Sequence, residues 1–426
     1  MAVGSGWRAA AAPDLALTAR ATGPSRAAED RPTAAPSLVG MQETPPPHLD
    51  LGQMTLTCAA CGVAYPLQDL AWRCGSCGGV LDLSGFTATV PDPAVLKDRP
   101  PTLWRYAEAL PVGDAGGVSM GEGMTPLVTA PHGAPAMLKV DYLMPTGSFK
   151  DRGAVLLVAL ARALGVSQMV ADSSGNAGTA IAAYGARAGI ACDVYVPGAT
   201  SPGKVAQLRA YGATVHLVEG TREDTASAAA VAADQPGVFY ASHVYNPFFL
   251  HGTKTYVFEA WEQLGGLLPE VLVLPVGNGT LVLGCYLGCR ELLAQGLIDR
   301  LPEIVAVQAE GCAPLARAAS LGLTSPVDVA SGGTIAEGIA IARPARGAQI
   351  LAAVADTAGT FVTVDDDQIR AAHADLALAG LYVEPTAAVC WAALRAGLGG
   401  DPSGADPGTR ALAPLCGSGL KSKPPA

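Results

Sequence analysis

Two groups of residues in this chain have the types and spacing to do chemistry. The first is Pro145-Thr146-Gly147-Ser148-Phe149-Lys150-Asp151-Arg152-Gly153, followed from Ala154 to Leu164 by a run made almost wholly of Ala, Val and Leu. Thr146 and Gly147 supply a turn, and the apolar run predicts a buried helix with Lys150 at its head. Desolvation disfavours an ammonium in such a place. A lysine persists there when it is neutral or covalently occupied, which suits Schiff-base chemistry with a carbonyl group. The second group is Cys58-x2-Cys61 and Cys74-x2-Cys77, with Gly62 after the first pair and Gly78-Gly79 after the second. Each Cys-x2-Cys turn places two sulfurs on one ion. Two such turns make a closed tetrahedral four-thiolate site, so the expected metal is structural zinc. Two disulfides are the alternative reading.

These groups need rigid elements to hold them. Short β-branched runs alternate with alanine-rich helical runs along most of the chain. Strands are predicted at 167–172, 191–197, 214–218, 271–275 and 304–308, and helices at 177–188, 204–211 and 281–297. Near-continuous apolar strands in this rhythm predict an α/β fold with parallel sheets covered on both faces. Ligand loops then belong at the carboxyl ends of strands. Two small-residue loops sit there. Gly277-Asn278-Gly279-Thr280 opens a helix directly after a strand, where converging backbone N–H groups and the helix dipole favour an anion. A plain strand-to-helix turn would also use these glycines. Ser173-Ser174-Gly175-Asn176-Ala177-Gly178 opens another helix, and its residues also suit an ordinary N-cap.

The length of 426 residues allows two or three domains. Charged residues make up 15% of the chain and the formal net charge is −10, which argues against nucleic acid as a partner. No stretch reaches transmembrane length without Gly, Pro or charge. Ten cysteines are too sparse for a disulfide scaffold, so a reducing, cytoplasmic compartment is expected. Residues 1–53 are rich in Ala, Pro, Ser and Thr and read as a disordered tail or an over-extended start, with Met41 or Met54 as the initiator. Residues 54–84 form the cysteine module, 85–105 a proline-rich linker, 106–421 the main α/β region and 422–426 a tail.

The lysine segment resembles the lysine motif of the fold-type II pyridoxal phosphate (PLP) enzymes, and threonine synthases in particular. Five further stretches resemble that family, in its order. They are Met120-Gly121-Glu122-Gly123-Met124-Thr125-Pro126-Leu127, the Asn176 loop, Asn246-Pro247 with His251-Gly252-Thr253-Lys254-Thr255, the Gly277 loop, and Pro414-Leu415-Cys416-Gly417-Ser418-Gly419-Leu420-Lys421. The resemblance runs from about Gly121 to Lys421. It implies two parallel-sheet lobes, preceded here by the small zinc ribbon, and conversion of O-phospho-L-homoserine and water to L-threonine and phosphate.

By the same resemblance Lys150 carries PLP and acts as the base. Phe149, Asn176, Gly277, Asn278, Gly279, Thr280 and Cys416 contact the cofactor. Ser148, Asp151, Arg152, Ser173, Ser174, Gly175 and Lys254 receive the amino-acid substrate, with Arg152 and Lys254 as candidate charges for its phosphate. Glu384-Pro385-Thr386 resembles the family's turn near the substrate entrance, and it also suits a plain helix start with Pro at the first position. A homodimer is expected. Three features depart from the family. Cys416 stands where threonine synthases usually have Thr beside the pyridine nitrogen, His251 stands where they have Glu, and Thr334-Ile335-Ala336-Glu337-Gly338 resembles threonine dehydratases. An amino-acid ammonia-lyase, or another β/γ-replacing lyase, is therefore the alternative. A non-catalytic small-molecule binder is the reading from a different class.

Overall fold

Apolar runs with no polar alternation bury both faces only when they pair in parallel under helices. The computed structural model describes residues 51–114, 117–330, 332–397 and 411–421. The tails expected at 1–53 and 422–426 lie outside the described residues, apart from Leu51–Gln53, a single 3-10 turn. The strands β1 (Thr55–Cys58), β2 (Ala64–Pro66) and β3 (Leu81–Ser84) form an antiparallel sheet in the order β2-β1-β3. Then follow β4 (Leu127–Thr129), β5 (Ala136–Lys139), β6 (Gln168–Ala171), β7 (Ala191–Pro197), β8 (Thr214–Val218) and β9 (Phe239–Tyr240). The last strands are β10 (Val271–Pro275), β11 (Glu303–Ala309), β12 (Thr360–Val364) and β13 (Ala411–Pro414).

They make two further sheets. One has the order β12-β11-β10-β13-β5-β4, parallel except for β4, which lies antiparallel to β5. The other has the order β8-β7-β6-β9 and is parallel throughout. The α/β class and the two parallel-rich lobes expected from the sequence are present.

The helix Lys150–Ala163 is buried from Asp151 to Ala161, which is why its sequence is apolar on every face. It packs on the helices Asn176–Ala188 and Phe248–Thr253. The approach to the second is backbone-close: a Cβ on Gly252 would lie 2.1 Å from the Arg152 carbonyl oxygen, so no larger residue fits. The proline-rich segment 85–105 is held against the main body. Val90 and Leu96 enter a small core with Tyr106, Phe258, Trp261 and Leu292. The cysteine module docks through Leu56, Leu67 and Leu81, which join the core around the Lys150 helix. Trp72 meets Tyr240 and Tyr245 edge-on, with ring centroids 5.0 Å apart in each pair. Among the described residues no helix is long and apolar enough to cross a membrane.

Candidate active site

The chain reverses its direction across the larger sheet beside β10: β11 and β12 lie to one side, β13 and β5 to the other. Ligand sites in open α/β sheets form at such switch points, beyond the carboxyl ends of the strands. The Gly277 loop follows β10, Cys416 follows β13, the Lys150 segment follows β5, and the Asn176 loop follows β6 of the smaller sheet. Contacts bring these ends together. The Lys150 Nζ donates to Thr280 Oγ1 at 3.3 Å and lies 4.2 Å from the Phe149 ring centroid. Ser148 pairs with Gly417 across an isolated bridge. Asn176 Nδ2 donates to both oxygens of Glu384, at 3.1 and 2.9 Å. Lys150, Ser173, Ser174, Gly175, Asn176, Asn278 and Glu384 are all half-buried.

Lys150 is tuned for nucleophilic work. Burial lowers its pKa to about 8, with Cys416 and Glu384 opposing the shift. A lysine with an appreciable neutral fraction near neutrality can attack a carbonyl carbon and accept a proton. Burial pushes the Cys416 thiol well above its ordinary range, so it is a neutral group at the end of β13.

The residues present fit PLP. Among the described residues, the backbone N–H groups of Gly279, Thr280, Leu281 and Val282 at the start of the helix Thr280–Ala294 donate no hydrogen bond. These donors suit the cofactor's phosphate. Gly279 has φ +75°, and a Cβ there would lie 2.2 Å from Ile350 Cδ1. The Ser148 hydroxyl is fully buried without a hydrogen-bond partner among the described residues, which leaves a polar group for a ligand to satisfy. The Asn176 loop closes tightly on its helix: a Cβ on Gly178 would lie 1.8 Å from the Ser173 carbonyl oxygen.

Three residues expected on the substrate are elsewhere. Arg152 is wholly buried and spends its guanidinium on Asp141 at 2.8 and 2.9 Å and on Glu259 at 2.6 and 2.8 Å, with Thr125 and Thr255 taking further bonds. Lys139 joins the same network at 2.9 Å from Glu259. Lys254 is also fully buried, 2.8 Å from Glu291, and donates to His251 Nδ1 at 3.0 Å. Burial and the Lys254 charge lower the His251 pKa well below its ordinary value, so a neutral imidazole accepts this bond. Asp151 turns back to brace the turn before Lys150, accepting from the Thr146 N–H at 2.6 Å and from its hydroxyl. Family resemblance along the chain makes these side chains candidates. Their partners come from distant segments, and a buried charge takes whichever counter-charge the fold delivers.

The fold also brings in groups to which the sequence assigns no contact. Glu384 reads in sequence as a turn near the entrance or a helix start, and a Glu before Pro385 is the available signal. Lys204 and Lys421 act by charge on Glu384, and no spacing rule links them to it.

The four sulfurs of Cys58, Cys61, Cys74 and Cys77 lie within 4.8 Å of one another. The closest pairs are 3.5 Å apart for Cys58–Cys77 and Cys61–Cys74, and 3.6 Å for Cys61–Cys77. A tetrahedral ion with ~2.3 Å bonds to sulfur spaces its ligands ~3.8 Å apart. All ten cysteines are free.

Residues 118–417 match the family model described as pyridoxal-phosphate dependent enzyme. The chain belongs to that family. It is 36% identical over 349 residues to the threonine synthase of Methanosarcina acetivorans, covering 80% of this chain and 86% of that one. It is 37% identical over 342 residues to the threonine synthase of Mycobacterium tuberculosis, covering 78% and 92%. At this similarity and coverage the chain is a PLP-dependent enzyme of the threonine synthase family. Among solved structures, maize serine racemase superposes with a TM-score of 0.60 at 20% identity over 70% of this chain and 88% of that one. The processed form of threonine deaminase isoform 2 from Solanum lycopersicum gives a TM-score of 0.60 at 23% identity over 69% and 79%. These likenesses show the fold.

Proposed function

We propose that the protein converts O-phospho-L-homoserine and water to L-threonine and phosphate. The observation that carries this reading is coverage. The similarity to threonine synthases spans 86% and 92% of their lengths, and the family match at 118–417 includes Lys150, Asn176, the Gly277 loop and Cys416. Bound PLP supplies the electron sink that makes the substrate Cα and Cβ protons removable. The chain's residues supply the rest. Lys150, partly neutral because it is desolvated, takes the Cα proton, gives it up again, and then takes the Cβ proton; phosphate leaves Cγ, water adds at Cβ, and protons return to Cγ and Cα. The start of the helix Thr280–Ala294 holds the cofactor phosphate. Asn176 would donate to the phenolic oxygen of the ring, and Cys416, a neutral thiol, would lie beside the pyridine nitrogen. The small-residue loop Ser173–Gly175 and the Ser148 hydroxyl receive the substrate carboxylate.

The leaving phosphate needs a cation other than the internally paired Arg152 and Lys254. Lys421 donates to the Thr146 carbonyl at 2.7 Å, and Lys204 pairs at the surface with Glu337 at 3.1 Å. Both carry charge to the cleft at Glu384 and are assigned to the phosphate. We assign the cluster of Cys58, Cys61, Cys74 and Cys77 to structural zinc in a ribbon at 54–84, joined by 85–105 to the catalytic region 106–421. Sulfur spacings close to those of a tetrahedral thiolate site support this.

One observation favours a second reading, elimination of ammonia from serine or threonine. Both cations expected for the substrate phosphate are buried in ion pairs. The two readings separate in one assay of the purified protein with PLP. Release of phosphate and threonine from phosphohomoserine supports the first. Dominant ammonia release from serine or threonine, with phosphohomoserine inert, replaces it with the second.

A further inference from the structure

Glu384 is a cleft residue to which the proposed reaction gives no role. It is the N-cap of the helix Pro385–Arg395, with φ −72° and ψ 154° and Pro385 at the first helical position. A polar side chain at an N-cap ordinarily turns back onto the free N–H groups of its own helix. The Glu384 side chain makes no such bond. Both of its oxygens accept from Asn176 Nδ2 instead, at 3.1 and 2.9 Å, across the gap between the two lobes. The backbone fixes this placement. The Glu384 N–H donates to the Gly417 carbonyl at 2.9 Å, and Gly417 pairs in turn with Ser148. A Cβ on Gly417 would lie 2.4 Å from Glu384 Cδ, so the turn after Cys416 leaves room for the carboxylate only because Gly417 has no side chain.

An ionised carboxylate only accepts hydrogen bonds, whereas an asparagine amide donates from nitrogen and accepts at oxygen. The contact therefore decides which way round Asn176 sits. We propose that Glu384 is a positioning residue for the cofactor: its two oxygens share one N–H of the Asn176 amide, which fixes the amide by its nitrogen and leaves the second N–H to donate to the phenolic oxygen of PLP. This rests on the assignment of Asn176 to that oxygen.

Protonation reverses the arrangement. A neutral carboxyl can donate its proton to Asn176 Oδ1, which turns the amide around and removes the donor from the ring. The charged and titratable groups that face Glu384 are Lys150 at the helix head, Lys204 with its partner Glu337, Lys421, and the neutral Cys416 thiol. Burial raises the Glu384 pKa while Asn176 and the three lysines oppose the rise. The amide therefore turns where Glu384 takes up its proton, above the ordinary carboxyl range.

The test is the visible absorption of the holoenzyme against pH, together with the Kd of PLP, in wild type, Glu384→Gln, Gly417→Ala and Asn176→Ala. Asn176→Ala should move the visible band. Glu384→Gln, whose amide can satisfy Asn176 in either orientation, should move it in the same direction, abolish its pH-dependent transition and weaken PLP binding about tenfold. Gly417→Ala, which displaces the carboxylate without changing its chemistry, should do likewise and carries the test if Glu384→Gln fails to fold. The proposal is overturned if Asn176→Ala moves the band while Glu384→Gln or Gly417→Ala keeps the wild-type band and its pH dependence. If Asn176→Ala leaves the band unmoved, the assignment of Asn176 falls, and the proposal falls with it.

Discussion

Replacing Arg152 by Met should cost stability and not substrate recognition. The guanidinium neutralises Asp141 and Glu259, both wholly buried, while Lys139 supplies the second positive charge. Two cations against two carboxylates leave the cluster neutral, and Arg152→Met leaves it one negative charge in excess. Breaking a buried ion pair from one side costs ~3–5 kcal/mol. Asp141 keeps its bond from Thr125 at 2.6 Å, and Glu259 keeps Lys139. These remaining partners place the expected loss near the lower bound, about 3 kcal/mol.

The loss should depend on pH with a definite sign. Burial alone would raise the Glu259 pKa, but the charges of Arg152 and Lys139 more than offset it and hold the carboxyl at about 2, below the ordinary 4.5. A carboxylate depressed on folding stabilises the protein above its ordinary pKa, and that contribution is lost as pH falls through the folded value. The gap between wild type and Arg152→Met should therefore narrow below pH 4.5. Adding Asp141→Asn to Arg152→Met restores neutrality and should recover part of the loss, a coupling that a double-mutant cycle measures. Urea unfolding followed by circular dichroism gives the stabilities. Kinetics with phosphohomoserine and with unphosphorylated amino acids give the specificity. A variant within about 1 kcal/mol of wild type, yet about tenfold poorer in kcat/KM for the phosphorylated substrate alone, would show that Arg152 meets the substrate and that the burial argument is wrong.

Three further outcomes are expected. PLP uptake by the apoprotein should accelerate as pH rises through about 8, where the desolvated Lys150 amine loses its proton; borohydride should then fix the pyridoxyl group on Lys150, and a midpoint near 10.5 or label on another lysine contradicts the assignment. Elemental analysis should give about one zinc per chain, falling to near zero in Cys74→Ser; metal-free protein from zinc-replete medium, with these thiols oxidised, refutes the ribbon. Gly178→Ala should weaken PLP binding at least about tenfold, because its methyl would lie 1.8 Å from the Ser173 carbonyl and force the Asn176 loop open; titration of the apoprotein with PLP measures it, and wild-type affinity would mean that the loop relaxes freely.

Local sequence determined much of this protein. The strands expected at 191–197, 214–218 and 271–275 coincide with β7, β8 and β10, because each is a short run rich in β-branched residues bounded by turn residues. The buried helix after Lys150, the two loops that open helices and the four clustered cysteines follow in the same way from composition and spacing over a few residues. The short edge strand β4 and the late strands β12 and β13 are not legible locally, since their pairing depends on neighbours far along the chain.

Tertiary structure decided where the charges went. Arg152 stands two residues after Lys150 and Lys254 lies on another stretch that resembles the family, and the sequence offers both as charges for the substrate phosphate. Only the fold brings Asp141 and Glu259 to one and Glu291 and His251 to the other, and a counter-charge within hydrogen-bond distance in a desolvated interior captures the cation. Glu384 shows the converse. Its sequence reads as a turn that starts a helix, and it becomes part of the site because the second lobe places Asn176 within 3.1 Å of its carboxylate. Spacing along a chain sets which groups share an element, whereas electrostatic partnership is set by distance in space, which the sequence of one segment does not contain.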